Sequence, residues 1–238
     1  MKYLFITLFL FLSFKATAQS LQVVYGVSTD GLLDEEQKNR VSQRTKESFL
    51  KYEQNFKYIS YTLNVLGSES VFQMNSSMKN DGIDGLEAAK IQASLRGIYY
   101  NNLDENLSLY KTLAYGKTYI IKSNLDAIDW NLKKESKTID GIKTYKATAV
   151  QEYETGKGKK QWNLVAWYAP EINIPFGPAN YGNLPGLILE LKRGKKTYTV
   201  KKIKEIKVNK IHRPIDGDII SLKEFDEIGK EMTKDLGN

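Results

Sequence analysis

The chain has no cysteine and a single histidine, His212. The first absence excludes a disulfide framework, thiolate metal sites, a cysteine nucleophile and a lipidated cysteine. The second excludes a multi-histidine metal site and any mechanism that needs two histidines. No G-x-S-x-G, P-loop, dinucleotide fingerprint, H-E-x-x-H or EF-hand pattern occurs. No repeat, low-complexity tract or interdomain linker interrupts the 238 residues. An apolar fraction of 41% and a charged fraction of 26% are those of an ordinary globular chain.

The N-terminus reads MKYLFITLFLFLSFKATAQS. Lys2 supplies a positive n-region, Tyr3 to Phe14 an apolar run, and Ala16-Thr17-Ala18 a small-x-small cleavage pattern. Twelve apolar residues closed by Lys15 are too few to span a bilayer core, which needs about 20. The expectation is a signal peptide over residues 1–18, cut between Ala18 and Gln19, and a periplasmic or secreted product with no transmembrane segment. Residues 19–238 are then one β-rich domain with a C-terminal helix at about 221–236, long enough to bury a core without disulfides.

Formal charge is +7. Ten Lys/Arg against one acid lie between Lys192 and Arg213. That segment reads either as a surface attracted to anions or as the solvated face and edge of a strand pair, where lysine deters edge pairing. The second reading is favoured. No nucleic-acid motif accompanies the charge, so nucleic acid is not an expected partner.

The dominant hydrophobic period is two. Leu21, Val23, Tyr25 and Val27 share one face of a first strand, and Ile59, Tyr61, Leu63 and Val65 one face of a second. Gly67-Ser68-Glu69 turns into Val71 to Met74. Ala114-Tyr115-Gly116 joins strands over Leu107 to Leu113 and Lys117 to Ser123. Tyr145, Ala147 and Ala149 oppose Thr144, Lys146, Thr148 and Val150. Gly156-Lys157-Gly158 leads into Gln161 to Ala169. Leu187 to Lys192, a turn at Arg193-Gly194, and Thr197 to Ile211 follow, with a parity break that implies a bulge near Lys201 or Lys202. Helices are expected over Asp34 to Phe56, Asp84 to Leu95 and Ser221 to Leu236, the last with a Ser221–Glu224 capping box and a stripe of Leu222, Phe225, Ile228, Met232 and Leu236. The fold class is mainly β (α+β): one strongly curved antiparallel sheet, or an open barrel, packed with one to three helices.

Four of the five prolines fall between Pro170 and Pro185, in the stretch AWYAPEINIPFGPANYGNLPGLILEL. Proline cannot donate to a ladder, so this is a loop and not a central strand. It carries its own apolar groups, Ile172, Ile174, Phe176, Tyr181 and Leu184. A loop so long inside a compact domain is uncommon and often functional. A pinned loop is expected, with Ile174, Phe176 and Leu184 buried, Asn183 in a left-handed turn, and Leu187 and Leu189 inward.

The segment resembles the signature of the GLPGLI family, exported Bacteroidota proteins named for that hexapeptide. The matching residues are Ala166-Trp167-Tyr168, Pro170-Glu171-Ile172, Ile174-Pro175, Gly177-Pro178 and Leu184-Pro185-Gly186-Leu187-Ile188, with an upstream match at Ile139 to Ala147. Asn183 stands where the family has its first glycine, and Tyr145 where a cysteine is common. The resemblance implies export and loop identity, and no activity.

The remaining chemistry has bland readings beside the sharp ones. His212 reads as an exposed turn residue. Asp81, Asp84 and Glu87 could form a weak calcium site, but carboxylates at a helix start are the simpler account. Glu171 reads as an acceptor that fixes the loop backbone. Trp162 and Trp167, an odd number apart, face opposite sides of their strand; one is expected in the core and the other under the loop. No catalytic residue, metal or cofactor is expected. The chain reads as a non-catalytic periplasmic binding or chaperone-like protein for a cell-envelope component, with an envelope lipid, peptide or outer-membrane protein as partner classes. An apolar ligand would lie under the loop, whose candidate residues are Trp167, Tyr168, Pro170, Glu171, Ile174, Pro175, Phe176, Gly177, Pro178, Tyr181, Leu184, Pro185 and Gly186. The alternatives are a carbohydrate- or protein-interaction module using exposed aromatics, and a carboxylate-dependent hydrolase.

N-terminal sequencing of exported material should begin at Gln19. A mature chain that keeps Tyr3 to Phe14 would overturn the compartment.

Overall fold

A computed structural model describes residues 20–76, 82–155, 158–207 and 209–235. The expected cleavage site at Ala18–Gln19, Asp81, the Gly156-Lys157 turn and Leu236 lie outside them. Among the described residues, twelve strands form one sheet. In chain order they are β1 (Ser20–Thr29), β2 (Ser60–Leu66), β3 (Glu69–Met74), β4 (Ile98–Asn102), β5 (Leu107–Ala114) and β6 (Lys117–Ser123), then β7 (Asn131–Ile139), β8 (Ile142–Thr155), β9 (Gly158–Ala169), β10 (Leu187–Arg193), β11 (Lys196–Glu205) and β12 (Asp218–Ser221). Their spatial order is β12-β6-β5-β4-β3-β2-β1-β11-β10-β9-β8-β7, an open ladder with β12 and β7 at its edges. Among the described residues four α-helices accompany it: α1 (Glu35–Arg40), α2 (Gln43–Asn55), α3 (Leu86–Ala93) and α4 (Leu222–Asp235). No helix among the described residues is long and apolar enough to cross a membrane.

Alternation decides the inner face. Leu21, Val23, Tyr25 and Val27 of β1, and Ile59, Tyr61, Leu63 and Val65 on and before β2, are all buried. The pairs Tyr25↔Tyr61 and Val23↔Leu63 place these residues on one side of the sheet. The expected bulge is at Lys201, which β1 skips as pairing passes from Val24↔Lys202 to Tyr25↔Val200. Tyr115 and Gly116 link β5 to β6, and Asp140 and Gly141 link β7 to β8. All four have positive φ, the signature of a type I′ hairpin turn.

Large rings fill the centre. Tyr61 stacks on Phe72 with centroids 5.3 Å apart, and Tyr25 and Tyr99 meet Phe72 edge-on. A buried hydroxyl needs an acceptor. Tyr25 Oη donates to Ile188 O at 2.7 Å, Tyr61 Oη to Ser94 O at 2.8 Å and Tyr198 Oη to Ala93 O at 2.7 Å. These bonds tie the end of α3 and the start of β10 to the sheet.

The structure departs from the sequence reading in several places. The helix expected over Asp34 to Phe56 is broken. Asp34 caps α1 through a capping box, Val41 is extended, and Ser42 caps α2 anew by accepting from Thr45 N. Strands β4, β7 and β12 carry no period-two signal. β4 is buried on both faces, β7 is a lysine-bearing edge with few buried positions, and β12 has four residues. β12 pairs in parallel with β6, so the sheet is not wholly antiparallel. The turn after β10 is Gly194-Lys195, and β11 ends at Glu205 rather than Ile211. The basic segment is no edge, because β11 pairs on both sides, with β1 and β10. Its Lys201, Lys202 and Lys204 are exposed on the outer face.

α4 begins with the expected box: Glu224 N donates to Ser221 Oγ, and Ser221 N to Glu224 Oε2. Its stripe is only half covered. Phe225 packs against Tyr115 and Tyr119, whereas Leu222 and Met232 are exposed.

Burial raises the pKa of Tyr25, Tyr61, Tyr99 and Tyr198 well above the ordinary value. Their folded values exceed the unfolded ones. Their stabilising contribution is therefore complete below about pH 10 and lost as pH rises further, because only the unfolded chain releases these protons readily. A urea midpoint flat from pH 7 to 9 and falling above about 10 is expected. Full tyrosinate absorbance at 295 nm with intact near-UV dichroism would contradict this packing.

Candidate functional site

The proline loop between β9 and β10 is held inside the fold. Ile174, Phe176, Tyr181 and Leu184 are buried, as are Leu187 and Leu189 on the strand that follows. The backbone is tied at many points: Leu187 N to Ile172 O, Ile188 N to Phe176 O, Asn183 N to Pro175 O and Tyr181 N to Pro178 O. Three side chains reach in from elsewhere. Asn101 Nδ2 of β4 donates to Ala179 O at 3.1 Å, Trp130 Nε1 donates to Gly182 O at 3.0 Å, and Tyr181 Oη donates to Gln151 Oε1 of β8 at 2.6 Å. Strands far apart in the order thus contact one loop.

Asn183 has φ 61°, the left-handed region in which asparagine is tolerated. Gly186 is more constrained. Its φ is 145°, and a Cβ there would lie 2.2 Å from Ala169 O. Of the loop residues singled out in the sequence, Tyr168, Ile174, Phe176, Gly177, Pro178, Tyr181, Leu184 and Gly186 are buried. Trp167 and Pro175 are half-buried, while Pro170, Glu171 and Pro185 face solvent.

Glu171 does not fix the loop. It is exposed, and among the described residues the loop amides bond to backbone carbonyls instead. The tryptophans do face opposite sides, but neither is fully buried and neither lies under the loop. Trp167 is covered on the outer face by Lys137 and Lys146, with ammonium groups 4.5 and 6.0 Å from its ring. Trp162 stacks on Tyr153 at 3.8 Å, and the guanidinium of Arg193 lies 3.5 Å from its ring. His212 is exposed. Asp84 and Glu87 pair with Lys51 and Lys90. Lys192, Lys195 and Arg213 of the basic segment pair with Asp30, Asp34 and Glu105.

Beside the loop is a cavity of about 320 Å³. One wall is Tyr99, Tyr110, Ile121 and Ser123 of β4 to β6. The opposite wall is Gln151 and Tyr153 of β8, Trp162 of β9 and Arg193 of β10. Asn180 and Tyr181 of the loop and Phe225 of α4 complete it. Tyr99 and Tyr110 are stacked at 4.3 Å, and burial holds the phenols of Tyr99 and Tyr181 above the ordinary range. The lining therefore combines six aromatic and three aliphatic residues with six polar or charged ones.

Arg193 Nε is buried with no hydrogen-bond partner among the described residues. Such a donor costs about 1–3 kcal/mol and calls for an explanation. Glu152 and Asp226 also line the cavity. Glu152 is exposed and 4.0 Å from Lys159. Sequence reasoning found Trp162, Tyr181 and the loop. It missed Tyr99, Tyr110 and Arg193, which no spacing links.

Residues 154–190 match the family described as "Protein of unknown function (Porph_ging)". The resemblance to exported Bacteroidota proteins of unassigned activity rests on this same segment. No curated protein matches the chain. Solved structures of PNGF-II in the C2 and P21 space groups share the fold, with TM-scores of 0.53 and 0.54 at 14% identity. They cover 89% of this chain, which matches 32% and 33% of theirs. The chain thus spans about a third of PNGF-II, and at that identity the likeness is one of fold alone.

Gly186→Val should lower stability by about 3 kcal/mol or more, because its side chain meets the carbonyl of Ala169. Pro185→Ala, at an exposed position, should cost under about 1 kcal/mol. Urea unfolding measures both; equal effects would mean that Gly186 is not the closing point of the loop.

Proposed function

We propose that the protein is an exported, non-catalytic binding protein of the cell envelope. The sheet is strongly curved, an open barrel, and its ligand occupies the aromatic cavity beside the proline loop. The observation that carries this reading is that cavity. Its 320 Å³ lies at the low end of small-molecule sites, and its aromatic residues supply apolar surface while an equal number of polar or charged ones supply orienting groups. The loop's role is then structural. Its apolar side chains are themselves packed into the core, and it presents Asn180 and Tyr181 to the ligand.

The interaction-module reading is less well supported. The faces of Trp162 are taken by Tyr153 and Arg193, and Trp167 is flanked by two lysines. One observation favours a hydrolase: Glu152 and Asp226 line the same cavity, as paired carboxylates do in acid–base hydrolysis. Against it, Glu152 is exposed, its side chain 70% accessible, and it lies 4.0 Å from Lys159.

Native mass spectrometry of protein purified from the periplasm of an exporting host should show a retained small ligand. Ser123→Phe fills one wall of the cavity and should abolish that adduct with the melting midpoint little changed. An adduct that survives the substitution would place the ligand elsewhere. Turnover of a glycoside panel that is lost in both Glu152→Gln and Asp226→Asn would favour the hydrolase.

A further inference from the structure

Lys192, Lys195, Lys137, Lys146 and Arg213 each reach a carboxylate. Arg193 reaches none among the described residues, although it lines the cavity and its Nε is buried. It is also opposed by a like charge. Arg193 and Lys196 are Cα partners across the β10–β11 hairpin. Lys196 is half-buried, and its ammonium donates to the neutral Ser94 Oγ at 3.0 Å. Like charges directly opposite one another on a sheet are destabilising. Burial, with the charges of Arg193 and Lys195, depresses the Lys196 pKa. Trp162 holds the guanidinium by one face and the Tyr181 hydroxyl approaches it, so the buried Nε and the remaining in-plane N–H groups are the donors of a planar fork left to a ligand. A carboxylate is the natural complement of that fork.

We propose that Arg193 anchors the carboxylate of a small ligand whose ring lies against Tyr110 and Phe225 in the cavity. This rests on the reading of the cavity as the binding site and adds the class of ligand: a six-membered ring with an apolar face and one carboxylate, either an aromatic acid or an acidic sugar. The carboxylate satisfies the fork and offsets the repulsion between Arg193 and Lys196.

Isothermal titration with benzoate, glucuronate, benzyl alcohol and glucose tests the proposal on the intact exported chain. At least one acid should bind about tenfold or more tightly than its neutral counterpart. Benzoate preference identifies an aromatic acid, and glucuronate preference an acidic sugar. Arg193→Gln should remove the difference between acid and neutral probe, and Arg193→Lys, which keeps charge without the fork, should restore part of it. If Arg193→Gln does not fold, salt decides on the wild type: acid affinity should fall with added NaCl while neutral affinity stays level. Neutral probes that bind as tightly as the acids, or a flat salt dependence, would overturn the anchor and leave the cavity site standing. No binding by any of the four overturns both.

Discussion

Closure of the proline loop depends on one close approach of backbone to backbone. At Gly186 the chain passes so near Ala169 O that no side chain fits, and it does so at a φ that L-residues rarely adopt. That contact brings the end of the loop back beside the end of β9, so that Leu187↔Ala169 can begin the β9–β10 ladder. Everything between the two ends is then forced over the inner face. Proline makes this tolerable, because a chain with fewer unfolded states loses less entropy when it is fixed.

The interior rings share that dependence. Tyr25 donates to Ile188 O, two residues beyond Gly186, so a displaced loop end would leave a buried hydroxyl unpaired. Asn101 and Trp130 donate to carbonyls that only the folded loop presents. The rings and the loop therefore order one another. Space remains where the aromatic series stops at Tyr99 and Tyr110 on one side and Trp162 on the other, and that space is the cavity. In the proposed function, the ligand site is an unfilled end of the core.

Legibility followed local rules. The faces of β1, β2, β8 and β9 were readable because one side of each strand is buried, and period-two alternation records that directly. The bulge at Lys201 was readable from broken parity, and the α4 cap from Ser221 and Glu224. β4 was not readable because both its faces are buried, which erases alternation. β7 was not, because an edge strand with lysines on it has little apolar pattern. The split between α1 and α2 was hidden because Val41 keeps an apolar period while Ser42, beside it, restarts the cap.

The sequence by itself determined a cysteine-free, mainly β chain with a signal-like leader, and a rigid apolar loop between an aromatic and an aliphatic strand. Those features depend on residue type and near-neighbour spacing. Only the tertiary structure decided that the basic segment runs through a central strand, that Trp162 lies between Tyr153 and Arg193, and that Arg193 lines the cavity. These facts depend on which strands pair, and pairing joins residues such as Val27 and Tyr198 that lie far apart in the chain. No local period encodes a partner at that distance.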